Sequence, residues 1–314
     1  MKSLNEVFTS LTARRRYEVW FLRLGLADGS GAWWVRYLLV NPGRSGCGVD
    51  SRARPVQVWA TWFPAGGKAQ TVIQGFGMES LQLSGRGKSP FRLRIGSNEI
   101  GEDFCRGDVA ADGHRIAWEL GYRSTFRVTM SDKGWIGFSR SPHSDAAFSG
   151  HITLDGRRFE GNPLGFGVQG HNCGYKHRDF WKWTHAYFPG SGGAASTLEA
   201  LAYDMPLGLT FRKAVLWHEG KAYVIRGLRE VKTDRENLQW EFEGAAGGGL
   251  EIEVAVDGGE GIHRLPYLKT DCTGDFEVAN NSLARARLRI QSKDGRVEEL
   301  RAPHGGVVEF GGLA

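Results

Sequence analysis

The chain has 314 residues, of which 45 are glycine and only 10 are proline, and 41% are apolar against 24% charged. This composition excludes a disordered chain, and the lack of a Gly-x-y repeat excludes collagen. The 40 basic and 35 acidic residues leave a net charge of +5. Because the two signs alternate along the whole chain, we expect no nucleic-acid partner.

The four cysteines, at positions 47, 105, 173 and 272, form no Cys-x-x-Cys pair, so their spacing indicates neither a zinc site nor a disulfide framework. The N-terminal segment lacks the continuous apolar core of a signal peptide, and no stretch approaches about 18 apolar residues. We therefore predict a cytoplasmic protein without a transmembrane segment. Peripheral contact with a membrane and the oligomeric state stay open.

In the first half of the chain, short runs with a two-residue alternation are separated by turn residues, as is typical of β-strands. These runs cover residues 17–24, 33–40, 56–63, 71–76, 91–95 and 115–122. Asp155-Gly156 is the strongest hairpin signal, because Asp-Gly supplies the positive φ angles of a tight two-residue turn.

The second half continues the same pattern. Its runs cover residues 180–188, 197–204, 209–217, 222–226, 238–243, 250–256, 276–280, 283–290, 297–301 and 307–310. About 15 to 17 strands result, and a small barrel is filled by roughly eight. The prediction is an all-β fold of two tandem antiparallel barrels, residues 1–165 and 166–314. A propeller is the weaker alternative, because no internal repeat appears.

Residues 165–188, GFGVQGHNCGYKHRDFWKWTHAYF, form the least generic segment. If 180–188 is a strand, then Trp181, Trp183, His185 and Tyr187 share one face. This pattern predicts an aromatic stripe that points into a barrel and lines an apolar cavity. The alternative is that the rings simply fill the core.

Three other chemistries fit the segment poorly. His171, Cys173 and His177 are ligand types, but their spacing matches no metal site. Cys173 lacks the surroundings of a thiol nucleophile. The Gly-x-Gly-x-x-Gly of 165–170 is not followed by a helix, so it is no phosphate loop. We predict neither a metal nor a cofactor.

The run Gly170-His171-Asn172-Cys173-Gly174, followed by Trp181-Lys182-Trp183, resembles the motif of the superfamily of carotenoid hydratases (hydroxyneurosporene synthases), tocopherol cyclases and fungal Diels–Alderases. Residues 16–21 and 33–37 resemble its first two strands. The resemblance implies two lipocalin-like barrels and a large hydrophobic pocket for an isoprenoid or polyketide-like substrate. Its members catalyse hydration, cyclisation or pericyclic closure without a redox cofactor.

Two departures from the motif bear on the reaction. The hydratases carry an acidic residue immediately before His-Asn, where this chain has Gly170, and Cys173 replaces the usual tryptophan. Hydration of an alkene needs a positioned acid, so carotenoid hydration is disfavoured. Cyclase or isomerase chemistry, which depends on shape, aromatic rings and a few hydrogen bonds, stays open.

We expect His171 and Asn172 to position or protonate a hydrophobic substrate, with His185 and Glu199 as further acid–base candidates. A carboxyl group inside an apolar barrel would have a raised pKa and could donate a proton. Accordingly, we expect His171→Ala to abolish turnover and to leave folding intact. The candidate substrate-binding residues are Trp118, Tyr175, His177, Trp181, Trp183, Tyr187, Tyr203 and Arg212.

Two other functions remain open at this point. A non-catalytic carrier of a hydrophobic molecule would need the same cavity but no positioned acid. A lectin-like or carbohydrate-active sandwich would expose its aromatic stripe and pair it with two carboxylates.

Overall fold

The computed structural model describes residues 3–47, 53–84, 90–190 and 195–313. The helices that lie wholly within these ranges are single 3-10 turns, at Pro42–Arg44, Met78–Ser80, Gly134–Ile136 and Pro206–Gly208. None of the described helices is long and apolar enough to span a membrane. The remaining regular structure is antiparallel β-sheet.

Twelve strands form the first sheet: β1 (Tyr17–Leu26), β2 (Gly31–Val40), β3 (Val56–Pro64), β4 (Gln70–Phe76), β5 (Leu81–Ser84), β6 (Arg92–Ile95), β7 (Asn98–Gly101), β8 (Phe104–Ala111), β9 (His114–Arg123), β10 (Val128–Asp132), β11 (Gly137–Leu154) and β12 (Arg157–Gly174). Their order is β4-β3-β2-β1-β12-β11-β9-β8-β7-β6-β5, and β10 pairs with β11. In this order β4 and β5 are terminal strands, so the sheet curls without closing. The first and last strands in sequence, β1 and β12, are neighbours.

Nine strands form the second sheet: β13 (Trp181–Phe188), β14 (Ser196–Asp204), β15 (Thr210–His218), β16 (Lys221–Asp234), β17 (Gln239–Ala246), β18 (Leu250–Asp257), β19 (His263–Leu268), β20 (Asp275–Gln291) and β21 (Val297–Leu313). Pairing of β18 with β20 closes β13–β18, β20 and β21 into an eight-stranded barrel, and β19 is added at β20. The predicted all-β fold with two tandem barrel-like domains is confirmed. The first domain is a curled half-barrel.

Turn chemistry fixes the hairpin that the sequence marks most clearly. Asp155 and Gly156 connect β11 to β12 with φ angles of 46° and 87°. Strand β12 continues to Gly174 within the first sheet, and β13 begins at Trp181. The chain therefore changes sheets between Gly174 and Trp181, whereas the sequence analysis places the division at 165/166. Gly161-Asn162-Pro163-Leu164-Gly165 interrupts the polar–apolar alternation but lies inside β12.

The core consists of three apolar clusters, of which one joins the two domains. One fills the concave side of the first sheet, and a second fills the barrel. The third lies between the convex side of the first sheet and the outer wall of the barrel, and we call it the interface. Alternation along β1 makes this possible, because Trp20 faces the first cluster while Val19 and Phe21 face the third.

The interface overturns one prediction from the aromatic segment. Ala186 and Phe188 belong to the cluster inside the barrel, whereas Trp181 and Trp183 pack in the interface. The prediction that the aromatic stripe points into a barrel is therefore wrong. Both faces of β13 are buried, and a two-residue period does not distinguish the inside of a barrel from a buried outside face. The burial of the stripe also disfavours an exposed, lectin-like binding face.

The cysteines give a second correction. Cys47 and Cys272 form a disulfide, with 5.3 Å between their Cα atoms and a sequence separation of 225 residues. The expectation of no disulfide is therefore wrong. Local spacing could not reveal a pair that only the packing of the two domains brings together. Disulfides persist in oxidising compartments, so this pairing weakens the argument for a reducing environment.

A buried arginine links the domains through backbone carbonyls. Arg23 on β1 is fully buried and donates hydrogen bonds to the carbonyl oxygens of Ser282, Gly305 (3.1 Å) and Gly306 (2.8 Å) on β20 and β21. Burial lowers the pKa of Arg23 to about 9, which leaves the guanidinium charged at neutral pH. The charge is balanced by carbonyl dipoles of the barrel.

We expect Arg23→Met to lower the free energy of unfolding by about 3 kcal/mol, because it leaves buried carbonyl oxygens without donors. Urea denaturation followed by tryptophan fluorescence measures this loss. Arg127→Met is the control, since Arg127 is exposed. Equal stability of the two variants would show that the Arg23 hydrogen bonds do not hold the domains together.

Candidate functional site

A cavity of about 420 Å³ opens where the interface packing ends. This volume is within the usual range for small-molecule sites. We call it the interdomain cavity. Its first wall comes from the first sheet: Tyr17, Val19, Arg36, Ser139 and Asn172. Its second wall comes from the second sheet: Trp181, Leu201, Tyr203, Tyr267 and Glu309. The connection between the sheets, with Tyr175, His177 and Arg178, covers one side.

A narrow extension of about 70 Å³ continues the cavity inward to Trp34 and Trp183. It shares seven lining residues with the main cavity, and the polar side chains at this junction are Arg36, Ser139, Asn172 and Glu309. The polar groups are thus placed deep in the site, and the walls around them are mostly aromatic and aliphatic.

Glu309 is the one carboxylate among the described residues that line the cavity. Trp181 Nε1 donates to its Oε1 and Asn280 Nδ2 to its Oε2, both at 3.2 Å. Burial raises the pKa of Glu309, and the positive charge of Arg36 and these two donors oppose the shift only in part. A carboxyl group in this setting can act as a general acid.

Arg36 is only 6% exposed and lies within an aromatic cage. Its guanidinium carbon is 4.4 Å from the ring centroid of Tyr267, 5.1 Å from that of Trp59 and 5.2 Å from that of Trp34. Nη1 is buried and has no hydrogen-bond partner in the described protein. The cage orients the guanidinium and leaves it with unused donor capacity.

Three more buried atoms of cavity-lining residues lack a hydrogen-bond partner among the described residues: Asn172 Oδ1, His177 Nδ1 and Tyr267 Oη. The His177 ring stacks on Tyr17 at 4.0 Å between centroids. Burial, together with the charge of Arg36, lowers the pKa of His177 to about 3, so the imidazole is neutral. Buried polar groups are normally hydrogen-bonded, so these atoms indicate a place for a polar ligand group.

Half of the residues that the sequence analysis singles out reach this site. Those that line the cavity or its extension are Asn172, Tyr175, His177, Trp181, Trp183 and Tyr203. Those that do not are His171, His185, Glu199, Trp118, Tyr187 and Arg212.

His171 points away from the cavity, into the core of the first sheet. Its Nε2 lies 2.8 Å from Glu18 Oε1 and its Nδ1 lies 2.7 Å from the carbonyl oxygen of Leu4. Its ring stacks on Trp20 with the centroids 4.6 Å apart. These contacts are structural, so we now expect a substitution at His171 to lower the stability of the fold.

Glu18 connects this pair to the N-terminal segment. Its carboxylate accepts hydrogen bonds from the backbone N–H groups of Phe8 at 2.7 Å and Thr9 at 2.6 Å. Burial alone would raise the pKa of Glu18, but the hydrogen bonds from His171 and the two amides hold it below its ordinary value. The His–Glu pair thus anchors residues 4–9 to the first sheet.

His185 and Glu199 lie in the dry part of the interface. His185 Nε2 lies 2.6 Å from the carbonyl oxygen of Ser144, and burial lowers the pKa of His185 to about 3. Glu199 accepts hydrogen bonds from Ser141 Oγ at 2.8 Å and from Trp183 Nε1 at 3.2 Å. Burial raises the pKa of Glu199, as the sequence analysis anticipated for a buried acid.

The remaining candidates have structural contacts. Trp118 is buried in the first core and donates to Tyr37 Oη at 3.0 Å, and Tyr187 stacks on Phe166 at 4.4 Å. Arg212 is exposed and forms an ion pair with Glu230 on the far side of β14. None of these side chains lines the interdomain cavity.

Sequence reasoning missed the two charged residues at the centre of the site. Arg36 lies in the apolar run Trp33-Trp34-Val35-Arg36-Tyr37, and Glu309 lies between Val308 and Phe310. A single charge inside a strand that is otherwise apolar was the available signal. Cys173, which was weighed as a nucleophile, is a poor one, because burial raises its pKa to about 12.

A scan of family models and a search of curated proteins find no match to this chain. Solved structures do match over nearly its whole length. CghA in complex with Sch210972 is 12% identical with a TM-score of 0.62, covering 95% of this chain and 89% of that chain. Kievitone hydratase from Nectria haematococca is 10% identical with a TM-score of 0.55, covering 99% and 95%.

A Nitrosomonas europaea protein assigned as AttH is 12% identical with a TM-score of 0.51, covering 95% of this chain and 93% of that chain. At these identities the likeness concerns the fold. The shared fold is the one that the resemblance seen in the sequence implies.

We expect Glu18→Gln to lower the free energy of unfolding at neutral pH by about 2 kcal/mol, because a charged acceptor of three hydrogen bonds is lost. The pKa of Glu18 is depressed in the fold, so its contribution exists above the ordinary pKa and disappears as the pH falls through the folded value. The difference between variant and wild type should therefore shrink under acid conditions.

Urea denaturation at neutral and at acid pH measures both effects. Glu119→Gln, at an exposed position, is the matched control and should change neither. A Glu18→Gln protein with wild-type stability at both pH values would contradict the anchoring role.

Proposed function

We propose that the protein is a cofactor-independent enzyme that cyclises, isomerises or hydrates a bulky hydrophobic substrate in the interdomain cavity. One observation carries this proposal: an aromatic cavity contains a carboxyl group, Glu309, whose pKa is raised by burial. A protonated acid in a water-poor, aromatic site is suited to protonating an alkene or a carbonyl group.

In this proposal Glu309 transfers its proton to the substrate, and Trp181 and Asn280 stabilise the carboxylate that results. A second double bond of the substrate, or a water molecule, then attacks the activated centre. The proton released by that step returns to Glu309, so the enzyme is regenerated. The rings of Tyr17, Trp181 and Tyr267 hold the substrate in a reactive shape.

The packing around Gly170 leaves no room for an acidic side chain at that position, which supports Glu309 on the opposite wall as the acid. Gly170 shares the interface side of β12 with Asn172, and it pairs with Phe21 on β1. A Cβ atom at Gly170 would lie only 2.2 Å from Cζ of the Phe21 ring. The position where hydratases carry their acid is therefore closed by an aromatic ring, and β21 supplies the carboxyl group in its place.

The similar structures agree with this proposal in what their names state. Kievitone hydratase is a hydratase, and CghA has been crystallised with the molecule Sch210972. The alternative function is a carrier protein. The hydrogen bonds from Trp181 and Asn280 to Glu309 favour this alternative, because a carrier needs hydrogen-bond partners for a buried carboxyl group that takes part in no reaction.

We expect Glu309→Gln to abolish turnover and to retain substrate binding, because glutamine keeps the acceptor for Trp181 but carries no acidic proton. Wild type and variant are purified from the source organism, and the bound small molecules are identified by mass spectrometry. The variant should retain the unreacted substrate. A product of equal mass indicates cyclisation or isomerisation, and one heavier by a water molecule indicates hydration.

Glu199→Gln is the matched comparison, because Glu199 is also a buried acid with a raised pKa but lies outside the cavity. We expect it to retain turnover. The same unchanged molecule in wild type and Glu309→Gln would support a carrier. Loss of turnover in Glu199→Gln alone would transfer the acid role to that residue.

We expect the turnover of the substrate identified in this way to fall as the pH rises, because only protonated Glu309 donates. Burial raises the pKa of Glu309, so the decline should occur at a higher pH than an exposed glutamate would give. Initial rates from about pH 5 to 9 test this. Rates that do not depend on pH over that range would contradict a carboxylic acid donor.

A further inference from the structure

We infer that the ligand of the interdomain cavity carries an anionic oxygen group, a carboxylate or an enolate, and that Arg36 binds it. The inference deepens the proposed function, because it concerns the substrate of the same site. It does not depend on catalysis, because a carrier with this cavity would select the same class of ligand.

A comparison of three buried arginines isolates Arg36. Arg23 donates to carbonyl oxygens of β20 and β21, and Arg16 donates to the carbonyl oxygen of Trp135 at 2.5 Å. Arg36 is buried to the same degree as Arg16, and its guanidinium interacts with the neutral hydroxyl of Tyr267, but no carboxylate or carbonyl oxygen of the described residues accepts a hydrogen bond from it. Its Nη1 is buried without a hydrogen-bond partner among the described residues, and Arg36 lines the cavity.

A buried guanidinium needs an anionic or strongly polar partner, because desolvation of the charge is costly. Aromatic faces supply part of that stabilisation and also fix the guanidinium plane. Stacking on Trp34, Trp59 and Tyr267 uses the faces of the group and leaves the N–H donors at its edge. Donors of this kind match the two oxygens of a carboxylate or of a 1,3-dicarbonyl enolate.

The other groups at the cavity compensate this charge only in part, because burial disfavours a charge on each of them. Burial raises the pKa of Glu309, which the charge of Arg36 opposes in part, and burial together with Arg36 lowers the pKa of His177 to about 3. At the mouth are three more cations, Lys133, Lys176 and Arg178, of which Lys176 pairs with Asp179 at 3.1 Å. The cavity is therefore electropositive inside and at its mouth, so an anionic ligand is attracted to it and stabilised within it.

Asn172 and Glu309 complete the polar end of the site. Glu309 as an acid can donate a hydrogen bond to an anionic oxygen, and an anion nearby favours its protonated form. The same positive charge opposes a ligand or intermediate that develops a full positive charge beside Arg36. The site therefore fits hydrophobic acids and enolisable dicarbonyl compounds better than uncharged hydrocarbons.

The test uses two probes with one carbon skeleton, farnesoic acid and farnesol, which differ in the carboxylate and the alcohol. Binding to the purified full-length protein is measured by quenching of tryptophan fluorescence and by calorimetry. We expect wild type to bind the acid at least about tenfold more tightly than the alcohol. Arg36→Met should remove this preference and leave the affinity for farnesol within about twofold.

Two further variants make the result specific. Arg36→Lys keeps the charge without the planar pair of donors, so it should retain part of the preference. Arg178→Met removes a cation at the mouth and should retain most of it. Circular dichroism and urea denaturation confirm that each variant is folded. If Arg36→Met does not fold, the comparison of the probes on wild type and on Arg36→Lys still decides the question.

Equal affinity of wild type for the two probes, or binding of neither, would overturn the inference. Loss of the preference in Arg178→Met with retention in Arg36→Met would also overturn it, because the mouth would then select the anion. Acid-selective binding together with full turnover in Glu309→Gln would refute only the acid role in the proposed function. Loss of turnover in Glu309→Gln without acid-selective binding would refute only the role of Arg36.

Discussion

The packing of the first sheet against the outer wall of the barrel is the contact on which the rest of the structure depends. It buries both faces of β1 and β13, so strands that would have one solvated side become core on both sides. It also places Arg23 among carbonyl groups of the other domain. The interdomain cavity is the place where this packing is incomplete, and its two walls come from different sheets.

The two charged groups of the cavity, Arg36 and Glu309, come from different domains. Arg36 lies on the first sheet among Trp34 and Trp59, and Glu309 lies on the barrel beside Trp181. Neither Arg36 nor Glu309 forms an ion pair with a described side chain of opposite charge. Arg36 and Glu309 both line the interdomain cavity. Because they form no direct ion pair, the electrostatic field of Arg36 acts on a ligand in that cavity.

The sequence revealed the fold more fully than the site. Strand periodicity, the Asp155-Gly156 turn and the strand count suffice for two antiparallel barrel-like domains, because each depends on neighbouring residues. The orientation of the Trp181–Tyr187 stripe depends on which domain covers β13, and the Cys47–Cys272 pair depends on loops from different domains. Asn172, His177 and Trp181 were found through their local segment. Glu309 lies 128 residues beyond Trp181, and only the pairing of β13 with β21 brings them together.

The His-Asn pair illustrates what a short motif determines. Because side chains alternate along β12, His171 and Asn172 must face opposite sides of the sheet. His171 contacts Glu18 and holds the N-terminal segment, whereas Asn172 lines the cavity with an unpartnered oxygen. One dipeptide therefore serves folding with one residue and the site with the other. Phe21 fills the space beside Gly170, so the motif on β12 contributes a wall of the cavity but no acid. The acidic group comes from the barrel, whose residues form the opposite wall.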